Sequence, residues 1–171
     1  MRVALTGTPG TGKTSAAAEL DVPVVALGEV IEREGFWTER DEARDSLVAD
    51  LDALEEWLAH DGAVPEGDHV VESHLAHLLP ADRVVVLRCR PEVLRDRLAE
   101  RGVSGTKARE NAESEALDVV LSEAVEAVGR ENVYEVDTTD RTPAEVAAAV
   151  EAVFAGEREP SAGRVSFTDY L

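Results

Sequence analysis

Gly7–Thr8–Pro9–Gly10–Thr11–Gly12–Lys13–Thr14 spells the pattern G-x-x-x-x-G-K-[ST] in full. That spacing suits the cradling of a polyphosphate. Glycines let successive backbone N–H groups turn toward one point and let a phosphate approach closely. Lys13 is placed to reach the β- and γ-phosphates, and the Thr14 hydroxyl to ligate Mg²⁺. Of 17 basic residues only Lys13 and Lys107 are lysines. Where arginine has replaced lysine elsewhere, a retained lysine marks a task the planar guanidinium does not perform.

Two further groups of residues could do chemistry. Glu72–Ser73–His74 follows an apolar run, where a carboxylate can hold Mg²⁺ through water and a histidine can orient an acceptor. Arg101 to Asn111, RGVSGTKAREN, is a glycine-broken basic segment between two helical patterns. It reads as a lid whose cations, Arg101, Lys107 and Arg109, close over a triphosphate, exclude water and offset transition-state charge. His77 carries no such argument, and His60 and His69 read as structural.

These groups need elements to hold them. Apolar runs at 2–6, 23–26, 69–72, 83–87 and 133–136 read as short buried strands. Helical patterns follow at 13–20, 91–101, 108–128 and 143–154. Leu47, Leu51, Leu54 and Leu58 also fall on one helical face, which predicts a helix between Arg44 and His60, closed by Asp61–Gly62. Thr142–Pro143–Ala144–Glu145 is a capping box. Strands alternating with helices, each strand almost wholly apolar, predict an α/β fold: a five-stranded parallel sheet with helices on both faces. Ligands bind such sheets at the C-terminal strand ends, which places Thr6, Glu72 and Arg88 on one rim. Residues 1–155 read as a single P-loop domain and 156–171 as a loosely held polar tail.

With 36 acidic against 17 basic residues, the chain carries a formal net charge of −19. Such a surface repels bare nucleic acid and anionic membranes. The carboxylates are interleaved with apolar residues throughout, which argues against a disordered acidic tail. They fit a salt-rich cytoplasm, where the Debye length falls to about 3 Å at 1 M salt and self-repulsion fades. Cys89 is the single cysteine, which excludes an intrachain disulfide and suits a small core residue. No run of residues resembles a signal peptide or a transmembrane helix, so a cytoplasmic protein is expected. An Asn-Lys-x-Asp guanine-reading motif is absent from the sequence, so a small kinase is favoured over a switch GTPase.

The ordered combination of LTGTPGTGKTS, Val70–Val71–Glu72–Ser73–His74, VVVLRCRPEVLRDRLAERG, and a lid ending in Lys107 and Asn111 resembles the adenylate kinase isoenzyme 6 family. The likeness covers about residues 1–154. It implies a nucleoside monophosphate kinase type of P-loop fold, with an NMP-binding region at about 26–48 and a lid at about 100–111. It implies ATP–AMP phosphotransfer with Mg²⁺, some ATPase activity, and a ribosomal protein as partner in small-subunit maturation. By the same resemblance Gly10, Gly12, Lys13, Thr14, Ser15 and Arg101 bind ATP. Gly28 and Arg33 are the NMP-site candidates. The chain departs from the family at Glu72, where relatives usually carry Asp, and in an NMP region several residues shorter. It also departs at Arg33, one place later than the Arg that adenylate kinases put four residues after a Gly. The expectation is therefore an enzyme making 2 ADP from ATP and AMP, catalysed by Lys13, His74 and Arg101. The alternative is a ribosome-assembly ATPase whose nucleotide state switches a protein contact.

Overall fold

β1 (Arg2–Thr6) runs through the glycine loop into α1 (Lys13–Ala17), and β2 (Val24–Ala26) turns directly into α2 (Leu27–Glu34). A hairpin of β3 (Trp37–Asp41) and β4 (Ser46–Ala49) precedes α3 (Leu51–Leu58). Then come β5 (His69–Glu72), a 3-10 turn at Ala76–Leu78, β6 (Arg83–Arg88), α4 (Pro91–Glu100), α5 (Gly105–Ala116), α6 (Val119–Val128), β7 (Val133–Asp137) and α7 (Pro143–Phe154). This is a computed structural model, and it describes residues 1–43, 46–60 and 62–171.

The main sheet has five parallel strands in the order β2-β5-β1-β6-β7. Alternation along each strand fills both faces. Val3, Leu5, Val70, Val85, Leu87 and Val136 meet Ala16 of α1 and Val146, Val150 and Val153 of α7. Ala4, Val71, Val84 and Val86 meet Val30 and Ile31 of α2, Leu54 and Leu58 of α3, and Leu121 and Ala124 of α6. Each such fully buried Val or Leu contributes about 1.5–3 kcal/mol relative to exposure. An acidic residue at Val85, wholly buried between the layers, would strand a charge there.

Three expectations need correction. Leu47 lies in β4, not on a helix, although it packs against the same core as Leu54 and Leu58. The boundary is set by Asp50, whose side chain accepts from the Ala53 N–H at 3.1 Å and caps α3. Arg44 and Asp61, the outer marks of the predicted helix, lie outside the described residues. The long helix expected over 108–128 is two, α5 and α6. They break at Asp118, the one non-glycine residue with positive φ (56°) among those described. Asp118 tolerates that left-handed conformation and uses it to bring its carboxylate to Arg88. The helix expected over 13–20 stops at Ala17 and finishes in tight turns.

The tail is docked rather than loose. The Ser161 N–H bonds to Val133 O and its Oγ accepts from the Glu135 N–H, which covers the outer edge of β7. The Arg164 and Val165 N–H groups donate to Glu135 Oε2 at 2.8 and 3.1 Å. Phe167 is buried, with the Arg88 guanidinium 5.6 Å from its ring centre.

Candidate active site

The glycine loop leaves β1 at the C-terminal rim of the sheet, where a ligand can reach backbone N–H groups. All three of its glycines have positive φ, and two of them also lack room for a Cβ. A Cβ on Gly7 (φ 146°) would sit 2.7 Å from Leu87 O, and one on Gly10 (φ 96°) 3.0 Å from the Leu98 side chain. Lys13 bends back over the loop, and its Nζ donates to Gly7 O at 2.7 Å and Thr8 O at 3.1 Å. Burial pushes its pKa down to about 8. Glu72 and Glu115 oppose that fall, and Arg101 adds to it. Thr14 and Ser15 keep their hydroxyls on the exposed side of α1.

Glu72 ends β5, next to β1 in the sheet, and is paired in register with Leu5. Burial raises its pKa, against the pull of Lys13 and with Glu29 adding to the rise. His74 follows two residues after Glu72, just past the end of β5. Desolvation, and then Lys13, His77 and Lys107, push its pKa down. The ring keeps some contact with solvent, and it is neutral at pH 7. Glu72, His74 and Arg101 thus lie within electrostatic reach of Lys13, and Lys107 within reach of His74.

Beside the loop opens a cleft of about 330 Å³, lined by Gly10, Thr11, Gly12, Ser15, Arg97, Arg101, Thr138, Arg141 and Val146 among others. Thr138 donates to Thr11 O at 2.8 Å, and Arg97 bonds Thr138 O at 3.0 Å, so the β7–α7 turn is tied to the loop. Thr138, Arg97 and Arg141 were not expected from the sequence. The signal was available: Asp137–Thr138–Thr139–Asp140 ends the last strand, on the same rim as Glu72.

Other expected residues fall elsewhere. Arg109 lines a separate cavity of about 300 Å³ with Arg95, Tyr170 and Leu171. Arg33 lies exposed on α2, 3.1 Å from Glu34. It stands four residues after Glu29, one helical turn away on the same face, and Glu29 is the α2 residue that Glu72 senses. Gly28 is exposed in the first turn of that helix. Arg88 is at the rim in sequence terms but is wholly buried. It donates to Glu115 Oε1 at 2.8 Å, to Glu135 Oε1 at 2.6 Å and to Asp118. Burial alone would lower its pKa, and Glu115 and Asp118 outweigh that and raise it. Glu115 also accepts from the Thr8 hydroxyl at 2.6 Å, locking the loop to α5. Cys89 is buried, and desolvation pushes its thiol up to about 11, so it stays protonated.

An Mg²⁺ carried by phosphates asks little of a protein: one or two hard oxygens, with water filling the rest of the shell. The exposed Thr14 hydroxyl and the Glu72 carboxylate fit that demand. Among the described residues there is no group of three or more His, Cys, Asp or Glu side chains arranged to hold a metal by themselves. No helix among those residues is long and apolar enough to cross a membrane.

Residues 3–118 match the family profile described as AAA domain. A "Putative adenylate kinase" of Natronomonas pharaonis is 60% identical over 173 residues, covering 100% of both chains. A protein of the same description from Halobacterium salinarum is 53% identical over 174 residues, again covering 100% of both. One from Methanothermobacter thermautotrophicus is 45% identical over 173 residues, with 99% of this chain and 98% of the relative covered. The first two sources are halophiles, in keeping with the acidic composition. Among solved structures, shikimate kinase from Acinetobacter baumannii in complex with shikimate aligns with a TM-score of 0.64 at 14% identity, covering 92% of this chain and 94% of that one. Shikimate kinase from Bacteroides thetaiotaomicron aligns with a TM-score of 0.55 at 21% identity, covering 91% and 98%. At such identities these two matches speak to the fold alone: the P-loop kinase sheet flanked by helices. The long, close matches speak to descent: the chain belongs to the archaeal family whose members carry the description "Putative adenylate kinase".

Proposed function

We propose that the protein is a phosphotransferase that moves the γ-phosphoryl group of Mg-ATP to AMP, giving 2 ADP. The observation that carries this reading is the glycine loop with its buried Lys13, set within electrostatic reach of the Glu72–His74 rim and beside a cleft of about 330 Å³. Gly10, Gly12, Lys13, Thr14 and Ser15 hold the phosphates. The cleft between Arg101 and the Thr138–Val146 wall takes the nucleoside. Thr14, and Glu72 through water, would hold Mg²⁺, which when bound neutralises charge on the phosphates. Little covalent chemistry is asked of the protein, so catalysis is positioning and charge stabilisation. Lys13 and Arg101 supply positive charge, and Lys107 adds to it from α5. Neutral His74 donates its ring N–H to the acceptor phosphate, or orients a water. AMP lies between α2 and the His74 rim, with Gly28 allowing approach and Arg33 turning from Glu34 to the AMP phosphate. An acceptor screen tests this site: Arg33→Ala should raise the KM for AMP and leave the KM for ATP unchanged. An equal rise in both would reject the placement.

A second reading has its own support. Arg33 pairs with Glu34, and acids crowd the acceptor side, which favours weak AMP binding. The protein would then act chiefly as an ATPase in small ribosomal subunit maturation in the cytoplasm. Its acidic surface would meet a basic ribosomal protein. A pull-down of ribosomal proteins with and without ATP tests it: capture that changes with nucleotide supports the switch, and capture indifferent to nucleotide rejects it.

A further inference from the structure

A histidine without an assigned role lies at the centre of a buried chain of hydrogen bonds. His77 sits in the 3-10 turn three residues after His74, and is 1% exposed. Its Nδ1 is 2.7 Å from the hydroxyl of Thr6, which is 0% exposed and directly precedes the glycine loop. Its Nε2 is 2.7 Å from Glu123 Oε2 on α6, a side chain that remains 46% exposed. The chain therefore ties three elements: the root of the phosphate loop, the segment carrying Glu72 and His74, and an outer helix.

Donor counting fixes the proton. Glu123 only accepts, so Nε2 carries the hydrogen. If Nδ1 also carried one, the buried Thr6 hydroxyl would receive it, and its own hydrogen would be left without this partner. With Nδ1 bare, the Thr6 O–H donates to it and every group in the chain is satisfied. The loop and the rim follow different strands, β1 and β5. Parallel pairing of β1 with β5 holds them together as far as Leu5 and Glu72, and the Ser73 N–H still donates to Leu5 O at 3.2 Å. The Thr6–His77 bond extends that connection through side chains, one residue further along β1 and past the end of β5.

We propose that His77 is a positioning residue: held as the Nε2–H tautomer by Glu123, it clamps the Glu72–His74 rim to the root of the phosphate loop and sets the spacing across which phosphoryl transfer occurs. The purpose of the clamp rests on the nucleotide reading of the loop, whereas the clamp itself does not. Misplacing reacting groups by as little as 1 Å can cost about 100-fold in rate. His77→Leu fills the space without either bond, His77→Asn keeps an acceptor at the δ position toward Thr6, and His77→Gln reaches only toward Glu123.

The test is steady-state turnover of Mg-ATP with AMP in molar KCl, read per folded protein, together with ¹⁵N shifts of the His77 ring in the wild-type chain. The expectation is a kcat for His77→Leu and His77→Gln lower by about 10- to 100-fold, with the KM for ATP within about twofold, and recovery in His77→Asn to within about threefold of wild type. Equal activity in the Asn and Gln variants overturns the clamp, even if the Leu variant does not fold. So does a loss that appears only as a lower melting temperature. The ring should show a protonated Nε2 and a bare Nδ1, and an imidazolium or the opposite tautomer overturns the proposal. If the wild-type chain transfers no phosphoryl group, the functional reading fails, and the nitrogen shifts alone decide whether the clamp stands.

Discussion

Replacing Glu115 probes how the buried charges hold the phosphate loop. Glu115 is 2% exposed and accepts three hydrogen bonds: from Arg88 Nε at 2.8 Å, Thr8 Oγ1 at 2.6 Å and the Cys89 N–H at 3.1 Å. Glu115→Ala leaves Arg88 with two of its three carboxylates and strips the Cys89 N–H and the Thr8 hydroxyl. Breaking a buried ion pair costs about 3–5 kcal/mol, and Glu135 and Asp118 soften that toward the lower end. An unsatisfied buried donor adds about 1–3 kcal/mol. We expect a loss of about 4 kcal/mol, which at about 2 kcal/mol/M in urea is a midpoint shift of about 2 M. Glu115→Gln behaves differently. Its carbonyl oxygen can still face Arg88 and the Cys89 N–H, and its NH₂ can donate to the Thr8 hydroxyl, which turns to accept. That variant should lose about 1 kcal/mol, the charge assistance alone. The assay is urea unfolding in molar KCl, where the loss should persist because screening acts on exposed charges. A loss below about 1 kcal/mol for Ala, or equal losses for Ala and Gln, would refute the reasoning.

Lys13→Ala should lower kcat by about 100- to 1,000-fold and leave the circular dichroism spectrum unchanged, and near-normal turnover would contradict the loop's role. Lys13 also has a pH signature in the nucleotide-free protein. Its folded pKa of about 8 lies below the ordinary 10.5, so between those values the unfolded chain binds the extra proton and stability rises with pH. Unfolding curves across that window should show the rise in wild type and lack it in Lys13→Met, and equal slopes would argue that Lys13 is not desolvated. Asp50→Ala should cost about 0.5–2 kcal/mol in the same unfolding assay, because α3 loses its cap, and an unchanged midpoint would refute that role. His74 should show no chemical-shift titration between pH 6 and 8, since its pKa is pushed well below the usual value, and a midpoint near 6.5 would contradict its desolvation beside Lys13.

The sheet was legible because each strand is a short apolar run closed by turn residues, and the glycine loop fixed which strand leads. What was hidden depends on contacts distant in sequence. The spacing of Leu47, Leu51, Leu54 and Leu58 is helical, yet Asp50 stops α3 and the hairpin carries Leu47 into the same core. The periodicity of 108–128 continues through Asp118, whose left-handed turn is set by Arg88 thirty residues away. The polar tail offered no sign that Glu135, alone among the residues of β7, would bind it by two backbone N–H groups. At the candidate site, Lys13, Glu72 and His74 were expected from motif and rim position, and Arg101 from the glycine-broken basic segment. Arg97, Thr138 and Arg141 come together only when the β7–α7 turn folds over the loop.

The central claim is phosphoryl transfer from ATP to AMP on the Gly7–Thr14 loop. It is tested most directly by ADP formation from Mg-ATP by the purified protein in molar KCl, with and without AMP. Two ADP per ATP, appearing only when AMP is present, is the predicted result. Slow loss of ATP at a rate indifferent to AMP would contradict it.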